Sequence, residues 1–197
     1  MIRDHYVPLA QAKLNSQTCF VADAWSPAMV TLDSPAIEVM TDLRRVPAAT
    51  VQADTLMADA HQMMIVRAVR MLLVLDVDRQ VLGLITATDL LGEKPIRVSQ
   101  ERQTKPSELT VRDLMVSTGQ LDVVELVDVL RSEVGHVVAT LKASGRQHAL
   151  VLESAPEGRQ YIRGIFSTTQ IARQMGIPLQ TSEIARTFAE IEAAIAR

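Results

Sequence analysis

The sequence is poor in cysteine, in aromatic residues and in long apolar runs. Cys19 is the only cysteine among 197 residues, so the chain forms no internal disulfide, as is typical of proteins from a reducing compartment. Aromatic residues make up only 3%, so the core must consist mainly of aliphatic side chains and methionine. The longest apolar runs, such as residues 71–75, are far shorter than the roughly 20 residues that span a bilayer, and no signal peptide is evident. We therefore expect a cytoplasmic protein with no membrane partner.

Charge and motif content argue against several classes of function. The chain has 20 basic and 23 acidic residues, and a net charge of −3 gives no electrostatic basis for binding nucleic acid. It contains no Walker loop, no G-x-S-x-G elbow, no H-E-x-x-H pair and no Rossmann glycine fingerprint. The four histidines lack metal-ligand spacing, and no nucleophile–base constellation is present. We expect a protein that is not an enzyme and requires no metal or cofactor.

A strand-to-helix junction occurs twice in the chain. The apolar run Val81–Ile85 ends in Thr86-Ala87-Thr88-Asp89, and the apolar pattern then resumes, which predicts a buried strand leading into a helix. Such a junction gathers hydroxyls, a carboxylate and unpaired backbone N–H groups, and anions bind helix N-termini for that reason. The same construction returns over residues 164–170.

The repetition extends to a whole structural unit. Each copy is predicted as helix–strand–helix–strand–strand–helix, with Met71–Asp76 aligned against His148–Glu153 as the buried central strand. Leu126–Leu130 is a further strand candidate, and the polar segment from residue 93 to 109 is typical of a linker. We predict the following segments: an N-terminal extension (1–33), a first domain (34–95), a linker (96–108), a second domain (109–177) and a C-terminal amphipathic helix (178–197).

The predicted C-terminal helix has a narrow apolar stripe that needs a surface to cover. Its members recur at helical spacing: Ile184, Phe188, Ile191 and Ile195. The stripe packs either on the chain's own N-terminal segment or on a second copy in a homodimer, and the sequence favours neither.

The duplicated motifs resemble those of a cystathionine-β-synthase (CBS) domain. The first copy has V-M-T at 39–41, M-L-L-V-L-D at 71–76 and G-L-I-T-A-T-D at 83–89; the second has D-L-M at 113–115, G-R-Q-H-A-L-V at 145–151 and G-I-F-S-T-T-Q at 164–170. Together, over residues 34–176, they resemble a tandem CBS pair, or Bateman module. The resemblance implies an α/β (α+β) fold of two β-α-β-β-α units packed sheet to sheet about a pseudo-twofold axis. It also implies two clefts that often hold adenosine-containing ligands, and frequent pairing of two modules.

The family's ligand motif, Gly-hydrophobic-x-Thr/Ser-x-x-Asp, is matched at Thr86, Thr88 and Asp89. A carboxylate there can accept hydrogen bonds from both ribose hydroxyls, while the threonines face phosphates. By resemblance, Arg70 lies beside this cleft and contacts a phosphate. The resemblance places three more residues on the adenine side of the cleft: Arg146, Gln147 and His148.

The second copy departs from the motif because Gln170 replaces the acid, although Ser167 and Thr169 are present. Glutamine offers one neutral carbonyl acceptor where aspartate offers two charged oxygens. We therefore predict unequal clefts, in which the Asp89 cleft accepts adenosine and the second cleft is weaker, different in preference or empty. Thr50 and Asp54 are assigned to this second cleft.

A purely structural explanation also fits the junctions. Thr86-x-x-Asp89 and Ser167-x-x-Gln170 both match a capping box, which would satisfy backbone N–H groups without any ligand. His148 is either a satisfied residue at a strand end or a ligand contact.

These features predict a sensor that binds an adenine nucleotide (AMP, ADP, ATP or a dinucleotide) and responds by a change of shape or dimer packing. The nucleotide is a regulatory ligand, and the response would pass to an unknown protein partner. The alternative is a scaffold or dimerisation protein with vestigial clefts, acting through its terminal segments.

Overall fold

The computed structural model describes residues 10, 11 and 29–177. The C-terminal helix predicted at 178–197, and most of the N-terminal extension predicted at 1–33, lie outside the described residues. No helix within the described part is long and apolar enough to cross a membrane.

The described chain folds into two four-stranded sheets with helices on their outer faces. The strands are β1 (Thr41–Asp42), β2 (Thr50–Gln52), β3 (Met71–Leu75), β4 (Val81–Thr86), β5 (Val116–Ser117), β6 (Val123–Glu125), β7 (His148–Ser154) and β8 (Gln160–Ser167). The helices are α1 (Met57–Val66), α2 (Ala87–Leu91), α3 (Lys94–Arg102), α4 (Val111–Leu114), α5 (Leu126–Val129), α6 (Val134–Ser144) and α7 (Thr168–Gln174). Short 3-10 turns lie at Ala36–Val39, Pro106–Glu108 and Thr118–Gln120.

The predicted duplication and the mixed α/β fold are confirmed. One sheet has the order β2-β3-β4-β5 and the other β1-β8-β7-β6. In each repeat an edge strand pairs in parallel with the central strand: β2 with β3, and β6 with β7. The central strand then forms an antiparallel hairpin with the strand that follows it: β3 with β4, and β7 with β8. Both hairpins even carry a register shift at the same place, after Val74 and after Val151.

The central strand β3 is apolar at every position because it is buried on both faces. Leu72 and Val74 pack against the helices of their own repeat. Met71, Leu73 and Leu75 point the other way, as alternate strand residues must, and pack in a core that includes Leu150 of the second sheet. The two sheets therefore meet face to face through an aliphatic layer.

Each repeat lends a two-residue strand to the sheet of the other, a feature that the sequence did not predict. β1 pairs with β8, where Asp42 lies opposite Gly164, and β5 pairs with β4, where Ser117 lies opposite Gly83. A side chain at Gly83 would collide with the main-chain carbonyl of Val116, so this close approach of β4 and β5 requires glycine.

The polar segment 93–109, predicted as a linker, contains helix α3, which has a proline in its first turn, as helices tolerate. One prediction from the sequence is wrong in detail. Leu126–Leu130 is not a strand: the strand is β6, three residues earlier, and Leu126 opens α5. A short apolar run does not distinguish a strand from a helical turn, and here the pairing of β6 with β7 decides. The domain boundaries stay predictions.

Candidate functional site

Two clefts open between the repeats, and each is built from both of them. We name them after the residue at the fourth position of the junction motif: the Asp89 cleft and the Gln170 cleft. In each, the strand-to-helix junction of one repeat faces the start of the central strand of the other.

The Asp89 cleft has a volume of about 240 Å³. Six of the residues predicted for it line it together: Thr86, Thr88, Asp89, Arg146, Gln147 and His148. Its apolar wall consists of Leu84, Val116, Leu121 and Leu150. Asp122 is a second acid at this cleft, and no sequence motif pointed to it.

The Asp89 carboxylate is already held by its own helix start. Its Oδ2 accepts hydrogen bonds from the Thr86 amide at 2.9 Å and from the Thr86 hydroxyl at 2.7 Å, and the Asp89 amide donates to Thr86 Oγ1 at 3.3 Å. The capping box predicted at this junction is confirmed. The other oxygen, Oδ1, lies 3.0 Å from the ammonium of Lys94.

Lys94 pairs with Asp89, a residue of the cleft, and sequence reasoning missed it because it lies in the segment predicted as a linker. The turn from α2 into α3 brings it back over the junction, five residues after Asp89. At the far end of α3, Arg102 pairs with Asp113, which forms a capping box of the same kind with Thr110 at the start of α4. Helix α3 is thus tied at each end to a carboxylate of a capping box.

Arg146 contributes a cation to the Asp89 cleft and is loosely held. Its guanidinium donates to the Gln120 carbonyl at 3.3 Å and lies 3.4 Å from Asp122. Both distances are at the long end for charged hydrogen bonds, so these partners are weak ones.

The Gln170 cleft is larger, about 380 Å³, and contains Ser167, Thr169 and Gln170 as predicted. It also contains Arg70, which the sequence placed in the Asp89 cleft. That placement was wrong because each cleft takes its facing wall from the other repeat: residues 146–148 line the cleft of the first junction, so Arg70 lines the cleft of the second.

Thr50 and Asp54 do not line the Gln170 cleft, so their assignment was wrong. Thr50 lies in β2, the edge strand beyond β3, where it pairs with Leu73. Arg173 of α7 lines the cleft instead. The sequence spacing could have identified Arg173, because it lies three residues after Gln170 and residues at that spacing share one side of a helix.

The second junction does not form the predicted capping box. Ser167 makes no capping hydrogen bond, and the side-chain carbonyl of Gln170 instead accepts the hydroxyl of Thr41 at 2.8 Å. Thr41 belongs to β1, the strand lent by the first repeat. Gln170 therefore contacts the opposite repeat, whereas Asp89 is held by its own.

His148 lines both clefts. It begins β7, where its Cα lies opposite that of Ser167 on β8. Burial, and next the positive charge of Arg70, lower the pKa of His148 to about 4. The imidazole is therefore neutral near pH 7 and offers one donor and one acceptor.

The chain is similar to known proteins in part of its sequence and in its fold. Residues 36–95 match the family model of the CBS domain. None of the curated proteins matches the sequence.

Solved structures share the fold at low sequence identity. An uncharacterized conserved protein from Pyrococcus horikoshii is 20% identical with a TM-score of 0.53, over 77% of this chain and 99% of that one. CBSX2 in complex with AMP is 21% identical with a TM-score of 0.51, over 71% and 94%. A CBS-domain protein from Agrobacterium tumefaciens is 19% identical with a TM-score of 0.50, over 67% and 88%.

The family match covers the first repeat, and the second repeat has the same strand order, hairpin and junction. The first repeat matches the CBS-domain family model over residues 36–95, and the two repeats together share the fold of solved CBS-domain proteins.

Proposed function

We propose that the chain is a regulatory module that binds an adenosine-containing ligand, with AMP as the simplest example, in the Asp89 cleft. The observation that carries this proposal is the meeting of residues 86–89 and 146–148, from different repeats, around one cavity. They bring together a carboxylate, hydroxyls, a guanidinium and an amide, which are the groups that ribose, phosphate and base require. CBSX2, which shares the fold, was solved in complex with AMP, and this supports the proposal.

The ribose would bind at Asp89 Oδ1. The capping box fixes the carboxylate through Oδ2, so Oδ1 stays at a defined position on the cleft wall. A carboxylate has about four lone-pair sites, and Oδ1 has room for two ribose hydroxyls only if the Lys94 ammonium gives way. In this proposal Lys94 and the ribose compete for the same oxygen.

The remaining parts of the ligand have matching surfaces. Adenine would lie against the apolar wall formed by Leu84, Val116 and Leu150. Arg146 and the Thr88 hydroxyl are the phosphate donors of this cleft, and Arg146 gains a stronger partner by exchanging its long contacts for a phosphate.

The regulatory response would follow from the construction of the cleft. A ligand that contacts both repeats stabilises the arrangement in which those contacts are best, and shifts the population toward it by its difference in affinity. Displacing Lys94 also frees one end of α3, whose other end is tied to α4 of the second repeat. Homodimerisation and transmission to a protein partner belong to the same proposal, as does a non-catalytic role. No cluster of acids, histidines or cysteines within the described residues suits a metal ion.

The test is calorimetric titration of AMP, ADP, ATP and NAD against three proteins: wild type, Asp89→Asn and Asp113→Asn. The two carboxylates are a matched pair, because each closes a capping box with a threonine and pairs with a cation of α3, while Asp113 lines neither cleft. Hydrogen bonds to a charged group contribute about 1.5–3 kcal/mol, so Asp89→Asn should weaken AMP binding about 10- to 100-fold. Asp113→Asn should leave it unchanged. Equal losses of AMP affinity in both variants would show that Asp89 acts only as a capping residue and does not bind the ligand.

A scaffold with vestigial clefts remains a second candidate, favoured by one observation: both oxygens of Asp89 have protein partners without any ligand. Native mass spectrometry of freshly purified protein separates the two, because it reports copy number and any retained small molecule together. A dimer that retains no nucleotide and binds none on addition would favour the scaffold.

A further inference from the structure

The charged groups of the Asp89 cleft limit the charge of the ligand that it can take. Among the described residues, two acids and one cation line this cavity: Asp89, Asp122 and Arg146. We propose that Asp122 is a specificity-determining residue, which makes the cleft select adenosine and its monophosphate against the di- and triphosphate. This selection rests on the proposed function and deepens it by naming the charge class of the ligand.

Arg146, the cation of this cavity, is already engaged by Asp122. The Asp122 carboxylate oxygen Oδ2 lies 3.4 Å from the guanidinium nitrogen Nη2 of Arg146. The same nitrogen donates to the Gln120 carbonyl at 3.3 Å. A phosphate that takes over this nitrogen must therefore compete with Asp122 for it.

Asp122 also opposes a phosphate by its charge. An anion bound to the same nitrogen would lie within about 6 Å of the Asp122 carboxylate, because each contact is about 3 Å long. That separation is shorter than the Debye length of about 8 Å at physiological ionic strength, so salt screens the repulsion only in part. The Asp122 side chain is 88% exposed and can turn toward water, which limits the effect to a few-fold change in affinity.

Within the described chain, no further cation lines this cavity to balance a second or third phosphate. His148 is neutral near pH 7 because burial, and next the charge of Arg70, lower its pKa to about 4. Arg70 itself lines the other cleft, and Lys94 pairs with the Asp89 carboxylate. Each phosphate beyond the first therefore adds negative charge beside two acids without gaining a partner, so affinity should fall from AMP to ADP to ATP.

The test is calorimetric titration of adenosine, AMP and ATP, without Mg²⁺ and at constant ionic strength, into wild type and Asp122→Asn, which removes the charge and keeps the shape. We expect the affinity for adenosine to be unchanged, AMP to bind about 1.5- to 5-fold more tightly in the variant, and ATP to gain more than AMP. Glu101→Gln is the matched control, because Glu101 also pairs loosely with an exposed arginine, Arg97 at 3.9 Å, and neither residue lines the cleft. It should change none of the three affinities.

The charge reversal Asp122→Lys should invert the order, so that ATP binds more tightly than AMP. ATP that binds wild type as tightly as AMP does, or a gain in Asp122→Asn that is equal for adenosine and ATP, would overturn the role of Asp122 and leave the adenosine proposal intact. If none of the three ligands binds wild type, the adenosine proposal itself fails, and the role of Asp122 fails with it.

Discussion

Replacing Lys94 with methionine should tighten adenosine binding. Lys94 lies 3.0 Å from Asp89 Oδ1, the oxygen proposed to accept the ribose hydroxyls, so ligand binding must break this ion pair. The two side chains are 27% and 17% exposed, which makes the pair a partly solvated one. Such pairs contribute about 0.2–1 kcal/mol, which corresponds to an affinity gain of about 1.5- to 5-fold when the competing cation is removed.

The assay is calorimetry with adenosine as well as AMP. Adenosine has no phosphate, so its affinity reports the competition at Asp89 without the loss of attraction between the Lys94 ammonium and a phosphate. Arg102→Met is the matched control: it removes the same charge from the same helix and breaks the ion pair with Asp113 instead. We expect it to leave adenosine affinity unchanged. A weaker affinity in Lys94→Met would refute the competition, and would show that Lys94 helps to hold Asp89 or the ligand in place.

Three further predictions concern stability. Gly83→Ala should lower the free energy of unfolding in urea by more than Gly164→Ala does, and about 1–3 kcal/mol is expected for Gly164→Ala. The added methyl group meets the main-chain carbonyl of Val116 at position 83, but only the flexible side chain of Met40 at position 164. The pKa of His148, about 4, lies below that of a histidine in the unfolded chain. The neutral imidazole therefore contributes fully to stability above pH 6.5, and this contribution is lost as the pH falls toward 4. In thermal melts at different pH values, His148→Gln should reduce the pH-dependent loss of stability by about 1–3 kcal/mol. Burial raises the pKa of Asp42, but the amide at residue 44 and the Arg163 guanidinium lower it by more, so the pKa in the folded protein lies below its usual value. Stability should therefore fall as the pH drops below about 4, and Asp42→Asn should make that fall shallower.

Local patterns predicted the repeat and most of the Asp89 cleft. The uninterrupted apolar strand 71–75 marks a strand buried on both faces, and the hydroxyl–acid spacing after Ile85 marks a capped helix start. Both signals depend only on neighbours in the chain. The residues that face Asp89 from the second repeat followed from alignment of the two copies and the family resemblance.

What the sequence did not reveal depends on contacts between distant segments. Strands β1 and β5 have two residues each, too few for an alternating pattern, and only pairing with the other repeat defines them. Lys94 was missed because a polar segment rich in charge also forms a helix when its ends are tied to neighbouring acids. Arg70 was assigned to the wrong cleft. The residues before each central strand line the cleft at the junction of the other repeat, and this rule was applied to Arg146 in the second repeat but not to Arg70 in the first.

The most direct measurement is a crystal structure of the protein grown with AMP. We expect ribose hydroxyls on Asp89 Oδ1, the Lys94 ammonium displaced from that oxygen, and the Thr86 capping contacts to Oδ2 unchanged. Nucleotide bound elsewhere, with Lys94 still on Asp89 and solvent in the Asp89 cleft, would contradict it.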